Sequence, residues 1–358
     1  MKISLFSLVD TVATYGSDYR PHQEILKEIP EIALVADELG FDTLWLPEHH
    51  GNSFCVLPTP GTVLGYIAAR TKRIKLGTAC VVLPLNQPLR IAAEYAVLDQ
   101  LSNGRVKLGF GRGYDQAEYK AFGVSYDRSR DLLREGIEII RLAWEGKPFK
   151  YLGTEHCIPE DFCLNQLPLQ TCKPDMYMAM WSRGTLELAA KLGLNAMFTP
   201  FAASMAFGSL SLAIEEFKKL AKQHGHSAKL KTSCSYYCAI AESKQGEERY
   251  KQRLLRLLKA LLPALPLDRT QIPPHYLYLA DIAEKITAMK VEDIGDSSIA
   301  VGSPQKVIEI LMKAEAAGID EVLLNIDFGG SSLKETTAQL EVLAKEVVNH
   351  FHSKHQDS

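Results

Sequence analysis

Short apolar runs alternate along the chain with longer segments in which apolar residues recur at helical spacing. The short runs are rich in β-branched, aromatic or Leu residues, as buried strands are. Eight such runs occur, at 3–8, 43–46, 74–82, 106–110, 176–181, 196–199, 233–240 and 321–326. Between the first two, Ile25, Ile29, Ile32, Ala36 and Leu39 follow steps of three and four. This spacing predicts a helix with one apolar face.

The order of the elements indicates the fold class. Further helical segments are predicted at about 60–70, 89–100, 127–145, 184–192, 209–224, 304–317 and 333–352. Strands that are each followed by a helix predict an α/β protein of the (β/α)₈ TIM-barrel class, with residues 1–358 forming one domain. A doubly wound sheet is the alternative, but the GxGxxG that usually follows its first strand is absent.

Two regions are longer than a minimal barrel needs. Residues 146–174 form an excursion before strand 5, and residues 246–302 form the longest insertion, between strands 7 and 8. A connection of this length on the catalytic side of a barrel is typical of an active-site lid. A purely structural helical insertion is the other interpretation.

Composition and charge exclude several classes of protein. The chain has 358 residues and a net charge of -3 without a long basic run, so we predict no nucleic-acid partner. No apolar run is long enough for a membrane span, and seven cysteines without close CxxC pairs favour a reducing, cytoplasmic compartment. The spacing of His156, Cys157, Cys163 and Cys172 matches no common zinc finger, so we predict no metal site.

Polar residues at the ends of the predicted strands are the candidates for chemistry, because the active site of a barrel lies there. The second strand ends in Glu48-His49-His50, and a histidine at this edge is well placed to transfer protons. His49 is therefore predicted to be catalytic or to contact a cofactor. A structural hydrogen-bonded histidine and a metal ligand remain the alternatives.

Three other strand ends suggest a ligand that is flat and phosphorylated. Small residues at Ala79-Cys80 allow close approach to the backbone. Arg112 lies between two glycines at the fourth strand end and can bind phosphate. Ser182 and Thr185 lie at a predicted helix start, where backbone N–H groups attract anions. Flavin mononucleotide (FMN) fits this combination.

Longer motifs give the chain a specific resemblance. They are the segment GFDTLWLPEHH at 40–50, Gly77-Thr78-Ala79 through Pro88-Leu89-Arg90, the segment LDQLSNGR at 98–105, Arg112-Gly113 followed by Phe122-Gly123 and Ser129-Arg130, and Val301-Gly302-Ser303-Pro304 before Ala317-Gly318-Ile319-Asp320. In this order, from residue 1 to about 350, they resemble the bacterial luciferase-like flavin-dependent monooxygenases.

The resemblance implies roles for particular residues. His49 would be the active-site base, and the Ala79–Cys80 bond would be a non-proline cis peptide under the isoalloxazine ring. The phosphate of FMN would be held by Arg112, Arg130, Ser182 and Thr185, while the backbone near Tyr114 faces the ring and Glu48 and Trp181 complete the cofactor site. Gly111 and Trp181 depart from the light-emitting members, which carry cysteine and glutamate there, and this disfavours light emission from a long-chain aldehyde.

The resemblance also implies an activity. Reduced FMN would come from a separate NAD(P)H:flavin reductase and react with O₂ to a flavin C4a-peroxide, which oxygenates an apolar aldehyde, ketone or similar substrate. We place the substrate pocket at Phe110, Met180, Phe198 and Phe201 and expect a homodimer. The alternatives are a deazaflavin F420-dependent oxidoreductase on the same barrel, a non-enzymatic flavin-binding protein, and an unrelated phosphate-binding barrel isomerase.

Overall fold

A computed structural model of the protein describes residues 1–226, 230–266, 268–297 and 299–353. Positions 227–229, 267, 298 and 354–358 of the predicted domain 1–358 lie outside the described residues. Two of them, 267 and 298, belong to the predicted insertion 246–302. Eight parallel strands close into a barrel in chain order, with the last strand paired to the first, so the predicted fold class is confirmed. The strands are β1 Lys2–Phe6, β2 Thr43–Leu46, β3 Lys75–Thr78, β4 Val106–Gly111, β5 Asp175–Met180, β6 Asn195–Phe198, β7 Thr232–Ile240 and β8 Glu321–Asn325.

One helix after each strand forms the outer layer. These helices are α1 His22–Leu39, α2 Pro60–Arg70, α3 Pro88–Leu101, α4 Ser129–Ala143, α5 Arg183–Leu192, α6 Leu210–Gln223, α7 Pro304–Ala316 and α8 Leu333–Val342. Local sequence signals set several of their ends. Gly40 ends α1 with a φ of 85°, a conformation that suits glycine, and the Ser303 side chain accepts a hydrogen bond from the Lys306 N–H at the start of α7.

The two predicted excursions contain structure of their own. The first contains an antiparallel hairpin of Phe149–Leu152 and Cys157–Phe162. The longer one contains the helices Lys244–Ala260 and Leu277–Ala288 and the strand Ile299–Gly302, which pairs with the second half of β7. Shorter elements are Val81–Val82, which pairs with β4, and the helices Gln116–Ala121 and Pro200–Phe207. In the described parts of the chain no group of three or more His, Cys, Asp and Glu side chains could hold a metal, and no helix is long and apolar enough to cross a membrane.

Alternation along the strands decides which side chains enter the barrel. Trp45, Tyr177, Met197 and Leu323 form a buried cluster. Each occupies the alternate strand position whose side chain points into the barrel. Successive side chains of a strand point to opposite faces. The intervening residues therefore pack outward against the helices, and this has consequences for the predicted substrate pocket.

A charged pair lies inside the barrel near its amino-terminal end. Lys107 Nζ is 2.6 Å from Glu321 Oε2, and both side chains are almost fully buried. Glu321 Oε1 accepts hydrogen bonds from Ser4 Oγ and Trp45 Nε1 at 2.6 and 3.1 Å, while Lys107 Nζ also donates to Thr43 Oγ1 at 2.9 Å. Burial alone would raise the pKa of the Glu321 carboxyl, but Lys107, Ser4 and Trp45 hold it below its ordinary value. The two side chains are thus hydrogen-bonded to each other and to three further side chains inside the barrel.

The carboxyl groups of Asp10, which is buried, and of Asp327, which is partly buried, predict how stability depends on pH. Burial raises the pKa of Asp10 to about 7, with Asp327 raising it further against hydrogen bonds from Tyr15 and Gly329, and burial raises the pKa of Asp327 to about 6. Because these values exceed the ~3.9 of an unfolded chain, the folded state binds more protons between about pH 4 and pH 7. We expect stability to fall as pH rises through that window. Urea unfolding at several pH values should show a smaller fall for Asp10→Asn, and an unchanged fall would contradict this assignment.

Candidate active site

A cavity of about 200 Å³ opens at the carboxyl ends of the barrel strands. Every one of the eight strands or the loop directly after it contributes a side chain to its wall. Leu261 and Tyr278 from the long insertion complete the wall. The cavity therefore lies where the active site of a barrel is expected.

His49 lies in the cavity wall and is oriented by a buried glutamate. Its Nδ1 is 3.0 Å from Glu118 Oε1, and the same oxygen accepts the His50 N–H at 2.7 Å and Asn52 Nδ2 at 3.3 Å. Glu118 is 1% exposed, and its other oxygen has no hydrogen-bond partner among the described residues. Because Glu118 occupies Nδ1, Nε2 is the ring nitrogen left to act in the cavity. Sequence analysis missed Glu118, whose partner is 69 positions away.

The neighbouring residues Glu48 and His50 form hydrogen bonds to each other and to other protein groups. Glu48 Oε1 contacts His50 Nε2 and Asn86 Nδ2, both at 2.8 Å, and Oε2 accepts the Val82 N–H at 3.0 Å. The hydrogen bond to Glu48 raises the pKa of His50. Glu48 borders the cavity, but these contacts fix the loop after β2 rather than leaving a free carboxylate.

The four residues predicted to hold phosphate lie directly after β4, on α4 and at the start of α5. The Ser182 side chain caps α5 and lies 2.6 Å from Thr185 Oγ1. Arg130 Nη2 lies 2.5 Å from the position that a Cβ at Gly184 would occupy, so this guanidinium packs against the backbone at the start of α5. Arg112 is 6% exposed and lines the cavity, and its Nη1 has no hydrogen-bond partner among the described residues.

These observations test whether a phosphorylated cofactor fits. A buried guanidinium nitrogen without a partner is costly, and an anion at this position would satisfy it. Thr185, at the start of α5, lines the same cavity as Arg112, and the amino-terminal end of a helix attracts anions. The residues present therefore fit the phosphate of FMN.

The insertion reaches this anion site through Tyr276. The Arg112 guanidinium lies 4.4 Å from the centroid of the Tyr276 ring, which stacks on Tyr126 at 3.9 Å, and the Tyr276 hydroxyl is 2.8 Å from Ser129 Oγ. Sequence analysis did not identify Tyr276. Its helical surroundings form a small separate core that also packs on Tyr114 and Trp181.

An aromatic wall lies beside His49. The rings of Tyr114 and Trp181 are nearly parallel with centroids 5.5 Å apart, and Phe54 lies nearly parallel to Tyr114 at 6.2 Å. His49 contacts Phe54 edge-on at 4.8 Å. On another side, the Ala79–Cys80 bond is a cis peptide, as the resemblance implied. The wall and this bond border a space suited to a flat ring.

None of the four residues predicted for the substrate pocket is among the described residues that line the cavity. Phe110, Met180 and Phe198 are fully buried in the main core and do not line the cavity. Because strands alternate, the inward positions are the adjacent ones, Gly111, Trp181 and Met197. The fourth residue, Phe201, packs against the core of the insertion.

Arg112→Ala should separate phosphate binding from ring binding. If the Arg112 guanidinium binds the phosphate and not the ring, FMN affinity should fall while riboflavin affinity stays. A charge-assisted contact of about 1.5 to 3 kcal/mol corresponds to roughly ten- to a hundredfold. Fluorescence titration of both flavins measures the difference. Arg70→Ala is the matched control, since Arg70 is paired with Glu31 and does not line the cavity; equal losses for both flavins in Arg112→Ala would contradict the assignment.

Comparison with family models identifies a match over most of the chain. The model described as luciferase-like monooxygenase matches residues 1–321, which confirms the resemblance. A similar curated protein is the oxygenase component of flavin-dependent trigonelline monooxygenase from Acinetobacter baylyi. It is 27% identical over 98% of this chain and 96% of its own length.

Solved structures support the fold. Monooxygenase RslO1 from Streptomyces bottropensis matches with a TM-score of 0.81 and 24% identity, covering 98% of this chain and all of that one. The oxygenating constituent of 3,6-diketocamphane monooxygenase from Pseudomonas putida, in complex with FMN, matches at 0.74 and 19%, covering 98% of both chains. An F420-dependent secondary alcohol dehydrogenase matches at 0.74 and 17%, covering 97% of this chain and 98% of that one. At these identities the likeness shows the fold alone.

Proposed function

Because the chain belongs to the luciferase-like monooxygenase family and is a flavin-dependent monooxygenase, we propose that it is the oxygenating half of a two-component system. It takes reduced FMN from a separate NAD(P)H:flavin reductase and uses O₂ to oxygenate an uncharged, largely apolar small molecule such as an aldehyde or ketone. The observation that carries the proposal is Arg112, a buried guanidinium with an unpartnered nitrogen facing a cavity that also contains His49.

FMN is favoured over F420 by the cations at the cavity. Among the described lining residues Arg112 is the single Arg or Lys. A second cation, Arg130, lies beside Gly184 at the start of α5. That set matches one phosphate, whereas the acidic tail of F420 calls for further basic residues. Bound reduced flavin supplies the electrons that activate O₂.

His49 is the residue that transfers protons in this proposal. Glu118 Oε1 accepts a hydrogen bond from Nδ1 of His49. This bond holds the imidazole ring in contact with Phe54 and Tyr114. This arrangement leaves Nε2 to accept or return a proton in the cavity. Glu118 is therefore a positioning residue, and His49 is the catalytic one.

The insertion excludes water from the site. Leu261 and Tyr278 border the cavity, and Tyr276 packs on the same guanidinium that meets the phosphate. Burial raises the pKa of Tyr278 to about 12, so its phenol stays neutral at working pH. The segment thus closes the cavity with apolar surface and neutral hydroxyl groups, which makes oxygen chemistry there less prone to side reaction with water.

Exposed apolar side chains on α2 and α3 support the proposed homodimer. Tyr66, Val97 and Leu101 are 58%, 42% and 70% exposed, and these two helices pack side by side. A second copy of the chain would bury this face. Sedimentation of the protein and of Leu101→Glu tests the assembly.

Reduction by NAD(P)H tests the two-component proposal. The purified protein mixed with FMN and NADH or NADPH should leave the visible absorbance of oxidised flavin unchanged, because the chain carries no dinucleotide fingerprint. Addition of a flavin reductase should bleach it. Stoichiometric FMN surviving purification and bleaching with NAD(P)H alone would overturn the proposal.

A further inference from the structure

Asn325, the last residue of β8, ends in the cavity with an unsatisfied amide. It is 1% exposed and borders the cavity, yet neither Oδ1 nor Nδ2 has a hydrogen-bond partner among the described residues. Buried side-chain amides are almost always hydrogen-bonded, and leaving both atoms unpaired is costly. The amide is therefore suited to a ligand that brings its own donor and acceptor.

The position of Asn325 separates it from the phosphate site. Arg112 follows β4, and β8 is four strands away from β4 in an eight-stranded barrel, which places the two residues on opposite sides. In the proposed function the phosphate lies at β4 and β5, and the ring lies near Ala79, Cys80 and His49 at β3 and β2. The side formed by β7 and β8 is what remains for the second reactant.

The neighbours of Asn325 define the chemistry of that reactant. Tyr237 lies beside Asn325 in the register between β7 and β8, and Ser235, Phe6 and Leu323 complete this part of the wall. None of these side chains is charged at neutral pH, since burial raises the pKa of the Tyr237 phenol. A charged substrate group would have no partner there.

We propose that Asn325 is the substrate-recognition residue of this enzyme, and that it selects neutral, mostly apolar molecules carrying a carbonyl next to an N–H or O–H, such as a lactam, a secondary amide or a hydroxyketone. The inference rests on the proposed function, because that function decides which side of the cavity the flavin takes. An amide side chain pairs with such a group through one donated and one accepted hydrogen bond. Discrimination then comes from the buried amide that a wrong ligand leaves unpaired.

Binding of matched probes to FMN-loaded protein tests the proposal without turnover. The probes are 2-quinolone, N-methyl-2-quinolone, which lacks the N–H, and naphthalene, which lacks both groups. Calorimetry should show 2-quinolone binding at least about tenfold more tightly than the other two. Asn325→Leu should abolish that preference while FMN affinity and the melting temperature are retained or raised. Thr199→Val, which removes a polar group from elsewhere in the same cavity, is the control and should keep the preference.

Three results would overturn the inference. The first is a wild-type protein that binds 2-quinolone no more tightly than the other probes. The second is an Asn325→Leu protein with an unchanged preference. The third is an Asn325→Leu protein that also loses FMN affinity, which would assign the amide to the edge of the flavin. Asn325→Ala replaces Asn325→Leu if the latter does not fold. Because the readout is probe binding, failure of the monooxygenase proposal appears separately, as direct reduction by NAD(P)H.

Discussion

His49→Ala should lower oxygenated product by about 10²- to 10⁴-fold, the usual contribution of a general acid–base residue. Reduced FMN should still bind, because the proposed phosphate contacts come from Arg112, after β4, and from the start of α5, after β5, whereas His49 follows β2. Without a proton carrier, the oxygen that reacts should leave as hydrogen peroxide instead of product. The ratio of product to hydrogen peroxide, measured with an aldehyde or ketone that the wild type accepts, therefore reports on His49 directly.

The neighbouring histidine provides the control for this experiment. His50 bonds to Glu48 and does not line the cavity, so His50→Gln should keep the ratio close to that of the wild type. Glu118→Gln should give an intermediate ratio, since the amide still contacts Nδ1 without the charge. A His49→Ala protein with a lower melting temperature and an unchanged ratio would show that His49 has only a structural role.

Lys107→Met should lower the free energy of unfolding by about 3 to 5 kcal/mol, because it leaves Glu321 charged and buried without its partner. The two groups are 2.6 Å apart inside the barrel, and solvent does not reach either of them. Urea unfolding measures the loss. The effect is on stability and not on chemistry, since the pair lies at the opposite end of the barrel from His49.

The double variant Lys107→Met, Glu321→Gln tests that explanation. Gln keeps an acceptor for Ser4 and Trp45 and removes the uncompensated charge, so most of the lost stability should return. If the double variant is as unstable as Lys107→Met alone, packing of the lysine stem rather than charge explains the loss.

Most of the fold could be predicted from the sequence because strand and helix periods are local signals. The predicted run 106–110 differs from β4 by one residue, and the predicted helix 60–70 agrees with α2. The hairpin in the 146–174 excursion was not predicted. The first of its strands is only four residues long. The second contains Pro159, Glu160 and Asp161 in succession and lacks the apolar alternation that identifies a half-buried strand.

The candidate site could be predicted only in part. Arg112, Ser182 and Thr185 follow strand ends directly, so position along the chain was enough to bring them together. The size of Phe110, Met180 and Phe198 suggests a substrate pocket. Whether a side chain faces the cavity, however, depends on odd or even position along the strand. Asn325 also ends a strand and could have been found by the same rule, whereas nothing local connects His49 with Glu118.

Anaerobic titration of reduced and oxidised FMN into the protein tests the central claim most directly. An oxygenase supplied by a separate reductase must capture reduced flavin and release the oxidised form, so we expect the dissociation constant of reduced FMN to be clearly the smaller of the two. The same order should hold in Asn325→Leu, and both constants should rise in Arg112→Ala. Oxidised FMN that binds as tightly as reduced FMN, or more tightly, would contradict the account.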